Sequence, residues 1–85
     1  IDGGQPEAFY NLGFLSFERG DVSAAVGHFE KAVAQDPGFS DAHFNLAMAL
    51  TELGRASLAK EHWEHYLVLE PDGAWSEIAR RHLSE

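Results

Sequence analysis

The sequence predicts an all-α fold of five antiparallel helices. Apolar residues recur every three or four positions along most of the chain, which is the spacing of one helix face. Glycine, proline and aspartate interrupt this spacing at short intervals, so each helix is expected to be followed closely by the next. The chain also repeats itself with a period of 34 residues, which groups the helices in pairs.

The repeat superposes residues 6–39 on residues 40–73. Ten positions are then identical, whereas chance would give about two. The identical pairs are Ala8/Ala42, Asn11/Asn45, Leu12/Leu46, Glu18/Glu52, Gly20/Gly54, Ser23/Ser57, Ala25/Ala59, His28/His62, Glu30/Glu64 and Pro37/Pro71. Both units are therefore expected to have the same structure.

The residues of each unit predict two helices joined by a tight turn. Pro6 suits a first helical turn, and Gly20 can adopt the left-handed conformation that ends a helix. Asp21 can then cap the second helix, and the proline that closes each unit stops it. The apolar positions of the first pair are Phe9, Leu12, Gly13, Ser16 and Phe17, then Val22, Ala25, Val26, Phe29, Ala32 and Val33.

The C-terminal residues predict a fifth helix that covers the second unit. A shift of 32 residues aligns Trp75, Ile78 and Ala79 with His43, Leu46 and Ala47. Trp75, Ile78, Ala79 and Leu83 are expected to cover the second unit, and Ser76, Glu77, Arg80, Arg81 and Glu85 to face water. Repeat arrays need a polar-faced cap of this kind.

The spacing resembles that of the tetratricopeptide repeat family. The pattern is Phe9-x-x-Leu12-Gly13, Ala25-x-x-x-Phe29 and Pro37, and it returns as His43-x-x-Leu46-Ala47, Ala59-x-x-x-Trp63 and Pro71. The resemblance implies a right-handed solenoid and one domain over residues 1–85. This domain comprises a first repeat (6–39), a second repeat (40–73) and a capping helix (74–85).

The resemblance also implies a concave groove, lined by the first helix of each repeat, that binds a peptide of a partner protein. The groove residues expected from it are Glu7, Tyr10, Asn11, Phe14, Asp41, Phe44, Asn45, Met48 and Glu52. Tyr10, Phe14, Phe44 and Met48 would form an apolar strip, although aromatic residues at helical spacing also pack between repeats. Members that clamp terminal carboxylates carry Lys or Arg here, whereas this chain has apolar and acidic residues. An apolar or basic partner is therefore expected.

Composition excludes several other functions. The chain has 14 acidic and 6 basic residues, a formal net charge of −8, so it would repel nucleic acid. There is no cysteine, no apolar run of membrane-spanning length and no phosphate-binding or nucleophile motif. We expect no enzyme activity, no cofactor and a cytoplasmic location, with a periplasmic one left open.

The segment KEHWEHYL raises the question of a metal site. His62 and His65 lie three residues apart and share one side of a helix, which is a spacing that metal sites use. The repeat aligns Trp63 with Phe29, so the tryptophan is expected to be the core residue between them. No third ligand follows from the sequence, and we therefore expect no metal.

The wider context gives two further expectations. The chain starts without methionine and has no N-terminal counterpart of the cap, so it is expected to be part of a longer protein. It is similar to C-terminal repeats of bacterial multi-domain proteins, including regulators, in which it would serve as an interaction arm. Self-association through the apolar strip and the uncapped end is the alternative to peptide binding.

Overall fold

The computed structural model describes residues 5–84, which form five helices joined by short turns. They are α1 (Gln5–Glu18), α2 (Val22–Gln35), α3 (Ser40–Glu52), α4 (Ala56–Leu69) and α5 (Ser76–Leu83). Each helix packs on the next, and α1 also touches α3, as in stacked helical hairpins. The predicted all-α fold of five helices is confirmed. None of these helices is long and apolar enough to cross a membrane.

The turn between α1 and α2 has the predicted chemistry. Gly20 has a φ of 85°, and the Asp21 backbone N–H donates to the Ser16 carbonyl at 2.9 Å. This is the left-handed termination that only glycine adopts without strain. The Asp21 carboxylate then accepts a hydrogen bond from the Ala24 N–H at 3.2 Å and caps α2. Gly54, with a φ of 76°, ends α3 in the same way.

The core follows the repeat. Phe29 and Trp63 occupy equivalent positions on α2 and α4, and both side chains are buried, as the alignment predicts. Gly13 lies so close to Phe29 that a Cβ atom there would stand 2.7 Å from the ring. In the second repeat Trp63 instead meets Phe44 edge to face, with ring centroids 5.2 Å apart.

The fifth helix, α5, packs on α4. Ala79 is buried, and the Trp75 ring lies 4.8 Å from the Phe44 ring between centroids. Two expectations are wrong: Ile78, expected to cover the second unit, is 36% exposed, and Ser76 is buried instead of facing water. Its hydroxyl accepts from the Gly73 N–H and donates to the Glu70 carbonyl, which ties the start of α5 to the end of α4. Glu85 lies outside the described residues.

The apolar stripe of α1 is less buried than its pattern predicts. Leu12 is 46% exposed, whereas its counterpart Leu46 is 0% exposed. The reason is the number of neighbours: α3 lies against both α2 and α4, while α1 packs mainly on α2. One face of α1 therefore has no covering helix among residues 5–84.

Candidate functional site

The first helices of the two repeats are joined by a hydrogen bond between Tyr10 and Asn45. The Asn45 Nδ2 donates to the Tyr10 hydroxyl at 3.0 Å. The Tyr10 ring is half-buried, with its centroid 5.1 Å from that of Phe39 and 5.7 Å from that of Phe29. Burial and then the nearby Asp41 charge raise the pKa of Tyr10, so its hydroxyl stays protonated. Tyr10 is therefore fixed in position at the contact between α1 and α3.

The amide of Asn45 has one side free. Its Nδ2 donates to the Tyr10 hydroxyl and to the Asp41 carbonyl, each at 3.0 Å. Both N–H groups are thereby used, while the Oδ1 has no donor among the described residues. An amide in this state can accept a hydrogen bond from a ligand but has no N–H left to donate.

The other predicted groove residues differ in accessibility. Phe14 is 44% exposed, Met48 is half-buried and packs on the core, and Asn11 and Glu52 are exposed. Phe44 is only 8% exposed and lies among the core aromatics. The expectation that Phe44 lines the open strip is therefore corrected, because Trp63, Tyr66 and Trp75 pack around its ring.

An acidic depression lies where α1 and α3 begin. It has a volume of about 510 Å³. Its lining residues are Pro6, Glu7, Asp36, Gly38, Phe39, Ser40, Asp41 and Glu70. Glu7 and Asp41, which the resemblance implicated, each precede one of the two repeat asparagines by one helical turn. Four carboxylates around one depression produce a negative potential that favours a cationic group.

Three histidines meet where α3 and α4 pack together. The His43 Nε2 lies 2.9 Å from the Pro37 carbonyl oxygen, so this nitrogen carries the proton and donates it. The His43 Nδ1 must then accept, and the His62 Nδ1, 3.0 Å away, must donate. The His65 ring stacks on His43, with centroids 4.9 Å apart and 6° between planes.

This arrangement disfavours protonation. Burial lowers the pKa of His43, and the neighbouring His65 opposes a charge there, while the Pro37 hydrogen bond and Asp36 partly compensate. Burial, followed by His43 and His65, lowers the pKa of His62 to about 4, against a partial opposing effect of Glu61. If His43 and His62 were both protonated, each Nδ1 would carry a hydrogen, and the two N–H groups would point at each other. The pair is therefore neutral at pH 7.

The first repeat has a counterpart of this cluster. There Phe9 stands in place of His43, and the Lys31 ammonium lies 5.5 Å from the Phe9 ring centroid. His28, the counterpart of His62, consequently has a buried Nδ1 without a hydrogen-bond partner among the described residues. Phe9 and Lys31 of the first repeat correspond to His43 and His65 of the second. Both pairs are in contact, through a cation over a ring in the first repeat and through stacked imidazole rings in the second.

Sequence reasoning missed the contact of His43 with His65, although a signal was present. His43 and His65 each lie eleven residues from the turn residue Gly54, and residues at equal distances from a turn face each other in an antiparallel hairpin. The third histidine nevertheless does not complete a metal site. Within residues 5–84 no three His, Cys, Asp or Glu side chains are arranged to hold a metal ion.

Comparison with known proteins agrees with the architecture. A family model described as tetratricopeptide repeat matches residues 16–80. The chain belongs to the tetratricopeptide repeat family. It is also 39% identical over 64 residues to an uncharacterized protein of Methanocaldococcus jannaschii, an alignment that covers 75% of this chain and 74% of the relative.

Tetratricopeptide repeats generally mediate protein–protein interactions and are generally not catalytic. The general class of function indicated by the family is therefore protein–protein interaction. The relative is archaeal, so it does not support the bacterial source that the resemblance suggested.

Proposed function

We propose that this tetratricopeptide repeat chain binds a peptide segment of a partner protein in the groove between α1 and α3. The interaction residues are Glu7, Tyr10, Asn11, Phe14, Asp41, Asn45, Met48 and Glu52. The chain acts by binding alone, without catalysis or a cofactor. Phe44 contributes indirectly, because it belongs to the core cluster on which Met48 packs.

The single observation that carries this proposal is the hydrogen-bonding state of Asn45. Its amide is oriented by Tyr10 and by the Asp41 carbonyl, and its Oδ1 is left as an unused acceptor. A positioned acceptor costs a ligand no reorganisation, and a peptide backbone supplies an N–H at every residue except proline. A backbone N–H of the bound peptide is the donor that fits it.

The side chains on the adjoining turns of α1 and α3 favour an amphipathic ligand. Phe14 exposes nearly half of its surface, and Met48 adds a flexible apolar side chain that adapts to different shapes. One turn away, Glu7 and Asp41 border the acidic depression. A peptide with an apolar residue followed or preceded by Lys or Arg matches both parts.

A peptide-display selection tests the proposal without a known partner. The immobilised chain is offered a random peptide library, and enriched peptides are titrated by fluorescence anisotropy against the wild type and two variants. Phe14→Ala with Asn45→Ala should weaken binding by at least about tenfold, because it removes an apolar contact and the positioned acceptor. Leu58→Ala, an equally exposed apolar residue on α4, should leave binding unchanged.

The expected peptides combine Lys or Arg with an apolar residue. Selected peptides that lack basic residues, or that bind the groove double variant as tightly as the wild type, would contradict the proposal. Circular dichroism of each variant confirms that the helices are retained. Phe44→Ala is unsuitable as a groove variant, since truncating a core aromatic lowers stability.

A further inference from the structure

The turn at residues 36–39 joins α2 to α3 and contacts both the histidine cluster and the proposed groove. The His43 Nε2 donates to the Pro37 carbonyl oxygen at 2.9 Å, so the imidazole holds the backbone of this turn. Asp36 and Phe39 of the same turn line the acidic depression where α1 and α3 begin. His43 therefore fixes a segment that carries part of that depression.

Direct contacts continue from this turn to the Asn45 acceptor. Phe39 is the N-cap residue of α3, and its carbonyl accepts from the His43 N–H at 3.2 Å. The Phe39 ring lies 5.1 Å from the Tyr10 ring between centroids. The Tyr10 hydroxyl in turn accepts the hydrogen bond of the Asn45 Nδ2 at 3.0 Å. Movement of the turn would therefore displace the ring that packs on Tyr10, and with it the partner that orients the Asn45 amide.

The histidine pair, His43 and His62, has no place for a further proton between its rings. The His43 Nδ1 accepts from the His62 Nδ1 at 3.0 Å, and the His43 Nε2 already carries the proton donated to Pro37. A proton added to His43 would lie on Nδ1 and oppose the His62 N–H. Because His43 is only 4% exposed, water cannot stabilise this charge where the ring stands. A charged His43 must turn toward solvent, and the hydrogen bond to the Pro37 carbonyl is then lost.

The charged and titratable groups that face the pair come from α4 and from the turn. Burial is the largest effect on both rings and lowers their pKa, that of His62 to about 4. His65 stacks on the His43 ring, with centroids 4.9 Å apart, and opposes a charge there. The carboxylates of Asp36 and Glu61 partly compensate. Since a released imidazole titrates near about 6.5, the positioned rings are fully stable above that pH and lose stability as the pH falls toward 4.

We propose that His43 positions the Asn45 acceptor through the turn at residues 36–39, and that protonation of the histidine pair thereby weakens peptide binding in the groove. While neutral, His43 holds the Pro37 carbonyl and keeps Phe39 against Tyr10. When charged, it leaves its buried place, and the Asn45 amide is no longer oriented before the ligand arrives. The inference rests on the proposed peptide binding and adds the proton as a regulator of that site.

Two substitutions of His43 separate its positioning role from its packing. A selected peptide with Arg and no His, whose charge is constant, is titrated at pH 7.5 and pH 5 by fluorescence anisotropy. His43→Gln retains an N–H donor for Pro37 but cannot be protonated, so it should bind as the wild type does at pH 7.5. His43→Ala lacks the donor and should bind at least about threefold more weakly at pH 7.5.

The pH profile is the readout that a merely structural residue would not change. Between pH 7.5 and 5 the affinity of the wild type should fall at least about threefold more than that of His43→Gln. Protonation of the groove carboxylates affects both proteins and cancels in this comparison. Ser23→Ala, at an exposed position of α2, should have the wild-type profile. Circular dichroism at both pH values confirms that each variant remains helical.

Chemical shifts of the free wild-type chain give a readout that needs neither a peptide nor a substitution. As the pH falls from 7.5 to 5, the Phe39 amide and the Asn45 side-chain amide should shift together with the ring signals of His43. Carboxylates titrate mainly below this range, near about pH 4. In His43→Gln the two amides should stay nearly constant.

Two results would overturn the inference. One is an equal loss of affinity in the wild type and in His43→Gln. The other is protonation of the histidine pair that leaves the Phe39 and Asn45 signals unchanged, which would show that the rings move without the turn. Absence of peptide binding at pH 7.5 would instead contradict the proposed function, and the shift titration would still test the link from His43 to Asn45.

Discussion

At the scale of single residues, Gly13 and Gly27 show that the same amino acid has different roles on two helices. A Cβ at Gly13 would lie 2.7 Å from the buried Phe29 ring, whereas a Cβ at Gly27 would have nothing within 4 Å. We expect Gly13→Ala to lower the free energy of unfolding by about 1–3 kcal/mol, because the ring must shift. Gly27→Ala should raise it by about 0.5–1 kcal/mol, since alanine favours a helix.

Urea denaturation followed by circular dichroism measures both effects. The two variants carry the same change, so helix propensity alone predicts stabilisation in each. Equal stabilisation of both proteins would show that Gly13 does not sit against Phe29.

The buried histidines make stability depend on pH. Burial lowers the pKa of His43 and of His62, the latter to about 4, so between pH 6.5 and 4 the unfolded chain binds more protons than the folded one. The stabilisation is complete above pH 6.5 and is lost as the pH falls toward 4. For His62, which is partly exposed to solvent, we expect a loss of about 1–2 kcal/mol by pH 4.5.

His62→Gln tests this dependence against a matched control. Glutamine keeps a donor for His43 but cannot titrate, so the decrease in stability between pH 7 and 5 should become smaller. Ser23→Ala, a change at an exposed position of α2 that removes no titratable group, should keep the wild-type dependence. Indistinguishable pH profiles for the wild type and His62→Gln would argue against the lowered pKa of His62.

At the scale of helices, attachment of α5 depends on one buried hydroxyl. The Ser76 Oγ bridges the Gly73 N–H and the Glu70 carbonyl, and the residue is 2% exposed. Ser76→Ala should cost about 1–3 kcal/mol, because the partly buried Gly73 N–H and Glu70 carbonyl lose this hydroxyl as a partner. Ser84→Ala, at the exposed end of the same helix, should change stability by less than about 0.5 kcal/mol.

Thermal unfolding of the two serine variants checks this prediction. Hydrogen exchange adds a local readout, since amides of α5 should exchange faster in Ser76→Ala than in the wild type. If Ser84→Ala were as destabilising as Ser76→Ala, the bridge to Glu70 would not be what anchors the helix.

The helices themselves were largely predictable, because their ends are encoded locally. Gly20 and Asp21 act within one turn of their own position, so their residue types were sufficient to predict the α1–α2 turn. The side that each helix buries depends on its neighbours and was predicted less well. Phe44 became a core residue through contacts with Trp63, Tyr66 and Trp75, all far from it in the sequence. Ser76 was buried by hydrogen bonds that its polarity alone did not reveal.

The exposed state of Leu12 has a similar origin. Its spacing is that of a core residue, and its counterpart Leu46 is one, but coverage requires a helix on the other side. Of the groove residues, repeat register located the positions on α1 and α3, whereas the free Oδ1 of Asn45 emerged only from the contact with Tyr10. Local patterns therefore predicted elements, and contacts between distant residues determined their chemistry.

At the scale of the whole molecule, the net charge of −8 should affect how a basic peptide binds. Long-range attraction speeds association and is screened by salt. We expect the affinity of a selected basic peptide to fall several-fold between 50 and 500 mM NaCl, roughly as the Debye length shortens. Glu7→Gln with Asp41→Asn should reduce this dependence, while Glu77→Gln on α5 should have little effect. Salt-independent binding would contradict an electrostatic role.

The most direct test of peptide binding between α1 and α3 is an amide chemical-shift titration of the isotope-labelled chain with a selected peptide. The largest changes should fall on Asn11, Phe14, Asn45 and Met48, with the Asn45 side-chain amide among them. Changes concentrated on α4 or α5, with these four residues unaffected, would contradict the proposed groove.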